Sequence, residues 1–263
     1  MKVSQNPIFI FACSPRSGST WLQRVITGTG VAMIWGEAAH GFFDYTTAWT
    51  LETGDVANPH DLHSFLEKDV AMWMAMLNPE LKDAIAANKL YLERLYGVPS
   101  KAMGYRRWGC KQTRYGMHSV NAVSEAWPKS RIVFLVRNFE QAFQSRFKYN
   151  TNIQGFSRGA DVQEFCELWE SQATVAHQCR DRDNCRIVKY EDLRDDRKAL
   201  QRLLRWLGLS HHTVKLAAHD PVSVSVWSKD VRVVSMEDLG MIAPFRQRID
   251  YLQGELGYEP IAS

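Results

Sequence analysis

The chain has 263 residues, 45% of them hydrophobic, with 32 basic and 29 acidic side chains and a formal net charge of +3. That length and apolar content suffice to bury a substantial core, in one large or two small domains. Basic residues are scattered singly and no Lys/Arg-rich run occurs, which argues against nucleic acid as a partner.

The first element is an apolar run over 8–13 that reads as a buried parallel strand. It breaks at Ser14-Pro15, passes Arg16-Ser17-Gly18, and resumes with helical spacing at Trp21, Leu22, Val25 and Ile26, predicting a helix over 19–29. A strand, a tight glycine turn and a helix start aim backbone N–H groups at one point, a geometry suited to a phosphate-like anion. The ATP-binding phosphate loop needs Gly, four residues and then Gly-Lys-Ser/Thr. Here Cys13 stands at the first glycine and Ser19 replaces the lysine. The cation sits within the loop as Arg16, while Ser17, Ser19 and Thr20 supply hydroxyls. Taken alone, the segment also reads as an ordinary strand-to-helix turn.

Further strand patterns follow at 31–35, 131–136 and 185–189, with a weaker one at 107–111. Helical patterns at 62–77, 80–96, 139–149, 162–182, 193–207 and 236–256 alternate with them. The alternation predicts an α/β chain of the phosphate-loop (P-loop NTPase-like) type, with a central parallel sheet of about five strands flanked by helices. No internal repeat or low-complexity segment divides it, so 1–263 is read as a single domain. Between Glu37 and Arg106 lie about seventy residues, against the dozen or so that a simple crossover needs, and 37–106 is read as a helical insertion after the second strand. Trp73, Met76 and Leu77 read as its packing residues. Phe42, Phe43, Tyr45 and Trp49 lack clear periodicity and are candidates to line a ligand pocket beyond the strand ends. Residues 150–161, with Gly155 and Gly159, read as a lid.

The five cysteines (Cys13, Cys110, Cys166, Cys179 and Cys185) are odd in number and form no Cys-x-x-Cys pair. Buried, reduced thiols of a cytosolic protein fit this spacing better than a zinc site or a disulfide framework. The N-terminus runs into the first strand without a signal-peptide core, and no apolar stretch approaches membrane-spanning length. A soluble, cytoplasmic chain is expected.

The strand at 131–136 ends in Arg137, at the same sheet edge as the loop at 14–20, and Ser145 lies eight residues on, roughly two turns into the next helix. In ATPases the comparable strand usually ends in an Asp that holds Mg²⁺; a cation there points to anion binding without a metal. A strand-end arginine by itself reads as solvated or salt-bridged. Beside the loop and the serine it reads as a planar fork gripping phosphate oxygens. In Val188-Lys-Tyr-Glu-Asp-Leu193, Tyr190 packs at a strand end while Glu191 and Asp192 favour the following helix N-terminus.

These segments together resemble sulfotransferases that use 3′-phosphoadenosine-5′-phosphosulfate (PAPS). Pro15-Arg-Ser-Gly-Ser-Thr-Trp21 resembles their 5′-phosphosulfate loop, Arg137 with Ser145 their 3′-phosphate element, and Tyr190-Glu-Asp-Leu193 a third shared segment. The resemblance implies that Arg16, Ser17, Gly18, Ser19, Thr20 and Trp21 hold the phosphosulfate, that Arg137 and Ser145 hold the 3′-phosphate, and that Tyr190 approaches the adenine. Trp108-Gly-Cys-Lys-Gln-Thr-Arg-Tyr115 resembles the Lys-x-Pro segment of tyrosylprotein and bacterial carbohydrate sulfotransferases, although Gln112-Thr113 lacks the proline. Val31-Ala-Met-Ile-Trp-Gly-Glu37 resembles the Gly-Glu that supplies the base in tyrosylprotein sulfotransferases. By resemblance, Lys111 and Arg16 stabilise the transferring group and Glu37 is the base, with His40 its rival. Cytosolic small-molecule members place a histidine where this chain has Lys111. The segment Ser223 to Arg232 resembles a strap over the donor in which Ser225, Lys229 and Arg232 close the site, and the family's Leu-Gly-Tyr ending recurs as Leu256-Gly-Tyr258. The expected reaction is in-line, metal-independent sulfuryl transfer from PAPS to a hydroxyl or amine, releasing adenosine 3′,5′-bisphosphate (PAP). Sugar, tyrosine peptide, lipid and small phenol or alcohol all remain open as acceptor, and the oligomeric state is not legible. A kinase-like phosphotransferase of the same fold and a non-catalytic nucleotide-binding protein are the alternatives.

Overall fold

The computed structural model describes residues 4, 6–37, 81–150, 158–209 and 240–261. The apolar runs become strands β1 (Ile8–Ala12), β2 (Ala32–Trp35), β3 (Arg107–Gln112), β4 (Arg131–Val136) and β5 (Cys185–Lys189). They form one sheet in the order β2-β3-β1-β4-β5, with every neighbouring pair parallel. All five residues of β1 are buried, as a strand covered on both faces requires.

The weakest strand signal belongs to β3, which lies second in the sheet, between β2 and β1. Its alternate positions Arg107, Gly109 and Lys111 are not apolar, so no continuous hydrophobic run announces it. Gly109 is needed there for space. A Cβ at this position would lie 1.7 Å from the carbonyl oxygen of Ile8, its register partner in β1, and 2.9 Å from Ile34 Cδ1.

The described helices are α1 (Ser19–Thr27), α2 (Leu81–Leu92), α3 (Val98–Ala102), α4 (Met117–Ala126), α5 (Phe139–Asn150), α6 (Arg158–Gln178), α7 (Tyr190–Asp195), α8 (Arg197–Trp206) and α9 (Arg246–Glu255). Strand alternation divides the core into two layers. Ile8, Ile10, Ile34, Val133 and Leu135 meet α1, α7 and α8 through Trp21, Leu22, Leu193, Leu200 and Leu203. Phe9, Phe11, Trp108 and Phe134 meet α4, α5, α6 and α9 through Val123, Phe139, Trp169 and Ile249. The second layer is aromatic: Trp108 and Trp127 stand edge-to-face at 5.4 Å, and Phe11 stacks on Tyr115 at 4.6 Å. Each such buried side chain contributes ~1.5–3 kcal/mol relative to leaving it in water.

Several boundaries depart from the sequence reading. The helix expected over 193–207 is two helices, because Asp196 turns out of the first and caps the second, its carboxylate accepting the Lys198 N–H at 2.7 Å. The lid expected over 150–161 is corrected at both ends: Asn150 closes α5 and residues 158–161 open α6, while 151–157 lie outside the described residues. The pattern at 80–96 becomes α2 followed by a π-helical turn, Glu93–Gly97. The short α3 has no counterpart in the sequence pattern. The remainder of the insertion, with His40, Phe42, Phe43, Tyr45, Trp49, Trp73, Met76 and Leu77, falls outside the described residues, as do Ser225, Lys229 and Arg232.

All five cysteines are free and buried. Among the described residues no helix is long and apolar enough to cross a membrane.

Candidate active site

The carboxyl ends of β1, β3, β4 and β5 lie along one edge of the sheet, and each carries residues singled out in the sequence. After β1 the ladder continues for one bond, from the Cys13 N–H to the Leu135 carbonyl at 3.0 Å. The chain then turns through two left-handed residues, Arg16 (φ 71°) and Gly18 (φ 88°). For arginine this conformation is sterically unfavourable, and it is held from β4: Arg137 Nη1 donates to the Arg16 carbonyl at 2.7 Å. Gly18 is the N-cap of α1 and offers no side chain to cap it, an arrangement in which the helix N-terminus suits an anion. A side chain at Gly18 is barred twice, by its positive φ and by the Tyr190 ring, whose Cδ2 would lie 2.2 Å from an added Cβ.

The loop and the end of β4 converge. Besides the Arg137–Arg16 bond, Arg16 Nε donates to Ser145 Oγ in α5 at 3.3 Å. Arg16, Arg137 and Ser145 thus form one cluster, in which the serine bonds to the loop arginine rather than to the strand-end arginine with which the sequence reading paired it. Tyr190 closes the cluster. Its ring lies 4.9 Å from the Arg137 guanidinium carbon and 5.9 Å, edge-on, from Trp21. Tyr190 is therefore a wall of the loop in this arrangement. Burial lowers the Arg137 guanidinium from its ordinary pKa, and the neighbouring Tyr190 and Glu191 act in the opposite direction.

A second cluster stands at the ends of β2 and β3. Lys111 is buried and donates to Glu37 Oε1 at 2.6 Å and to Thr20 Oγ1, in the first turn of α1, at 3.3 Å. The other carboxylate oxygen of Glu37 accepts from Thr113 Oγ1 at 3.0 Å. Lys111 thus touches the first turn of α1 on one side and the candidate base on the other. In the sequence Thr113 stands out only as a departure from the Lys-x-Pro pattern. The usable signal was its place two residues after Lys111, which puts both on one side of an extended chain. His118, on the exposed side of α4, has no part in either cluster.

Buried polar atoms give an independent test of what this edge accommodates. Ser14 Oγ, Ser17 Oγ and Arg137 Nε are buried and make no hydrogen bond among the described residues. Such groups are costly unless something pairs with them. Two hydroxyls and a guanidinium N–H beside a helix N-terminus are donors suited to phosphate or sulfate oxygens.

No curated protein matches the chain by sequence. Among solved structures, a sulfotransferase from Alicyclobacillus acidocaldarius aligns with TM-score 0.52 and 17% identity over 98% of both chains. A Mycobacterium avium sulfotransferase aligns with TM-score 0.56 and 12% identity over 100% of this chain and 79% of the other. A mouse sulfotransferase complexed with PAP aligns with TM-score 0.51 and 16% identity over 89% of this chain and 70% of the other. These are likenesses of fold, and the shared fold is P-loop NTPase-like. The model of the Sulfotransferase family matches residues 7–213. That span holds the Arg16 loop, Glu37, Lys111, Arg137, Ser145 and Tyr190, and the chain accordingly belongs to the Sulfotransferase family, as an enzyme of sulfuryl transfer.

Proposed function

We propose that the donor is PAPS and that the protein transfers its sulfuryl group in line to a hydroxyl or amine acceptor, releasing PAP, with no metal. The observation that carries this reading is the convergence of the Arg16 turn, Arg137 and Ser145 on one place, next to buried donors that have no partner among the described residues and that fit an anion. When bound, the donor supplies an activated sulfuryl group and a bisphosphate leaving group.

The chain's own residues would then divide the work. The loop amides of Ser19, Thr20 and Trp21, with Arg16 and Ser17, hold the phosphosulfate end, while Gly18 lets the backbone turn close against Tyr190. Arg137, with Ser145, holds the ribose phosphate. Lys111, which touches both Thr20 and Glu37, sets a positive charge where negative charge grows as the sulfur–oxygen bond breaks. Glu37 takes the acceptor proton. Its two oxygens accept one bond each from Lys111 and Thr113, and an ionised carboxylate has lone-pair sites for more. Fixed by those two donors, it is oriented before the acceptor arrives. Ser225, Lys229 and Arg232 remain the candidates to close over the donor by family resemblance. The acceptor class stays open among sugar, tyrosine peptide, lipid and small phenol or alcohol.

Thermal shift separates this reading from the kinase-like alternative. PAP at saturating concentration should raise Tm, because a ligand that binds only the native state stabilises it by mass action, and ATP–Mg²⁺ should raise it less. A larger shift with ATP–Mg²⁺ contradicts the donor assignment. Transfer of labelled sulfate from PAPS to a panel of acceptors then distinguishes an enzyme from a mere nucleotide-binding protein and identifies the acceptor class.

A further inference from the structure

The turn that carries Arg137 is held by three different side chains at three successive residues. Trp169 Nε1 donates to the Arg137 carbonyl at 3.3 Å. The Asn138 N–H donates to Glu191 Oε1 at 3.2 Å, and the Phe139 N–H to Gln253 Oε1 at 3.1 Å. Gln253 Oε1 also accepts from Asn138 Nδ2 at 3.0 Å, while Asn138 Oδ1 accepts the Gln141 N–H at 3.1 Å and so caps α5. Glu191 has a second partner: Tyr258 donates its hydroxyl proton to Oε2 at 2.8 Å. Tyr258 is itself seated by Lys189, whose ammonium lies 4.6 Å from the ring centroid and donates to the Gly257 carbonyl.

We propose that Glu191 is a positioning residue for nucleotide binding, bridging the Arg137–Asn138 turn to the C-terminal Gly257-Tyr258 segment and so fixing the direction of the Arg137 guanidinium. Rotation at Arg137 and Asn138 would swing the guanidinium away from the Arg16 carbonyl, and the loop would lose the bond that holds its left-handed residue. Glu191 adds charge to geometry, as an anion close to a guanidinium that burial would otherwise disfavour. The C-terminal segment thereby acts on donor affinity without touching the donor. This inference rests on the reading of Arg137 as a nucleotide ligand.

Isothermal titration of PAP into wild type, Tyr258→Phe, Glu191→Ala, Glu191→Gln and the Glu191→Ala/Tyr258→Phe double variant tests it. Tyr258→Phe removes one hydrogen bond and leaves the packing intact. It should raise Kd about 3- to 10-fold, the worth of a typical intramolecular hydrogen bond, with kcat at saturating donor unchanged. Glu191→Ala should weaken binding further, and Glu191→Gln should recover part of the loss. In the Glu191→Ala background Tyr258→Phe should add nothing, since the two residues act as a unit. Wild-type affinity in folded Tyr258→Phe and Glu191→Gln overturns the proposal, as do fully additive effects in the double variant. A wild-type protein that does not bind PAP overturns the donor reading first and this inference with it.

Discussion

Arg137 and Lys111 both present a cation to the same sheet edge, yet their surroundings assign them different tasks. Arg137 is tied to the Arg16 carbonyl and lies against Tyr190, away from Glu37, whereas Lys111 bridges Thr20 and Glu37. Arg137→Ala should therefore raise the Kd for PAP about 10- to 100-fold, the range for a lost bond to a charged group. Lys111→Ala should leave that Kd within a small factor and lower kcat on the order of 10²-fold, as for removal of a preorganised electrostatic stabiliser. Titration calorimetry and steady-state kinetics on the two variants check this. Indistinguishable losses of affinity, with no separate fall in turnover, would remove the distinction. The loop arginine and the strand-end arginine were legible in the sequence because one stands in a glycine-bearing turn and the other at an apolar run's end, whereas Lys111 and Glu37 were singled out by resemblance to family segments. The partners Thr113, Glu191, Gln253 and Tyr258 were not legible in those roles. Their side chains act across separations of up to 115 residues, and no local pattern encodes such a contact.

At the scale of elements, the placement of the site depends on β1 and β3 approaching closely enough for the Lys111 end to meet the loop. Gly109 permits that approach, and its substitution is a direct test. In Gly109→Ala the added methyl meets the Ile8 carbonyl, which as backbone cannot swing aside. The β1–β3 pairing must shift, at a cost on the order of 3 kcal/mol or more, the upper range of overpacking penalties. Chemical denaturation should show a lower midpoint and PAP binding should weaken together with it. A variant as stable as wild type would mean that the strands have room the structure does not show. The same glycine explains why β3 was the faintest strand in the sequence: the small residue that makes the pairing possible also interrupts the apolar signal. The split between α7 and α8 was hidden for a related reason. The apolar stripe runs on through Leu193, Leu200, Leu203 and Leu204, and only the turn at Asp196 reveals two axes.

For the molecule as a whole, the buried thiols and phenols predict alkaline weakness. Burial raises Cys13 from 9.0 to about 12, opposed by a contact with the Tyr115 hydroxyl. Burial, then the charges of Glu167 and Glu170, raises Cys166 to about 12. Burial, then its neighbours Cys110 and Tyr91, raises Tyr96 from 10.0 to about 12. Between pH 9 and 12 the unfolded chain releases these protons while the native protein retains them, so the unfolded state binds fewer protons and stability falls as pH rises. Tm followed by circular dichroism should be level through neutrality and drop progressively above pH 9; a flat profile to pH 11 would contradict the burial of these groups. By itself the sequence determined the five strands, the glycine-bearing turn after the first and the family, because strand period, glycine turns and strand-end charges are local properties written in consecutive residues. The tertiary structure alone decided the strand order, the convergence of Arg16, Arg137 and Ser145, the seating of Glu37 between Lys111 and Thr113, and the bracing of the Arg137 turn. Those arise where distant segments compete for the same hydrogen-bond donors and the same buried volume, and that competition is resolved only when all of them pack at once.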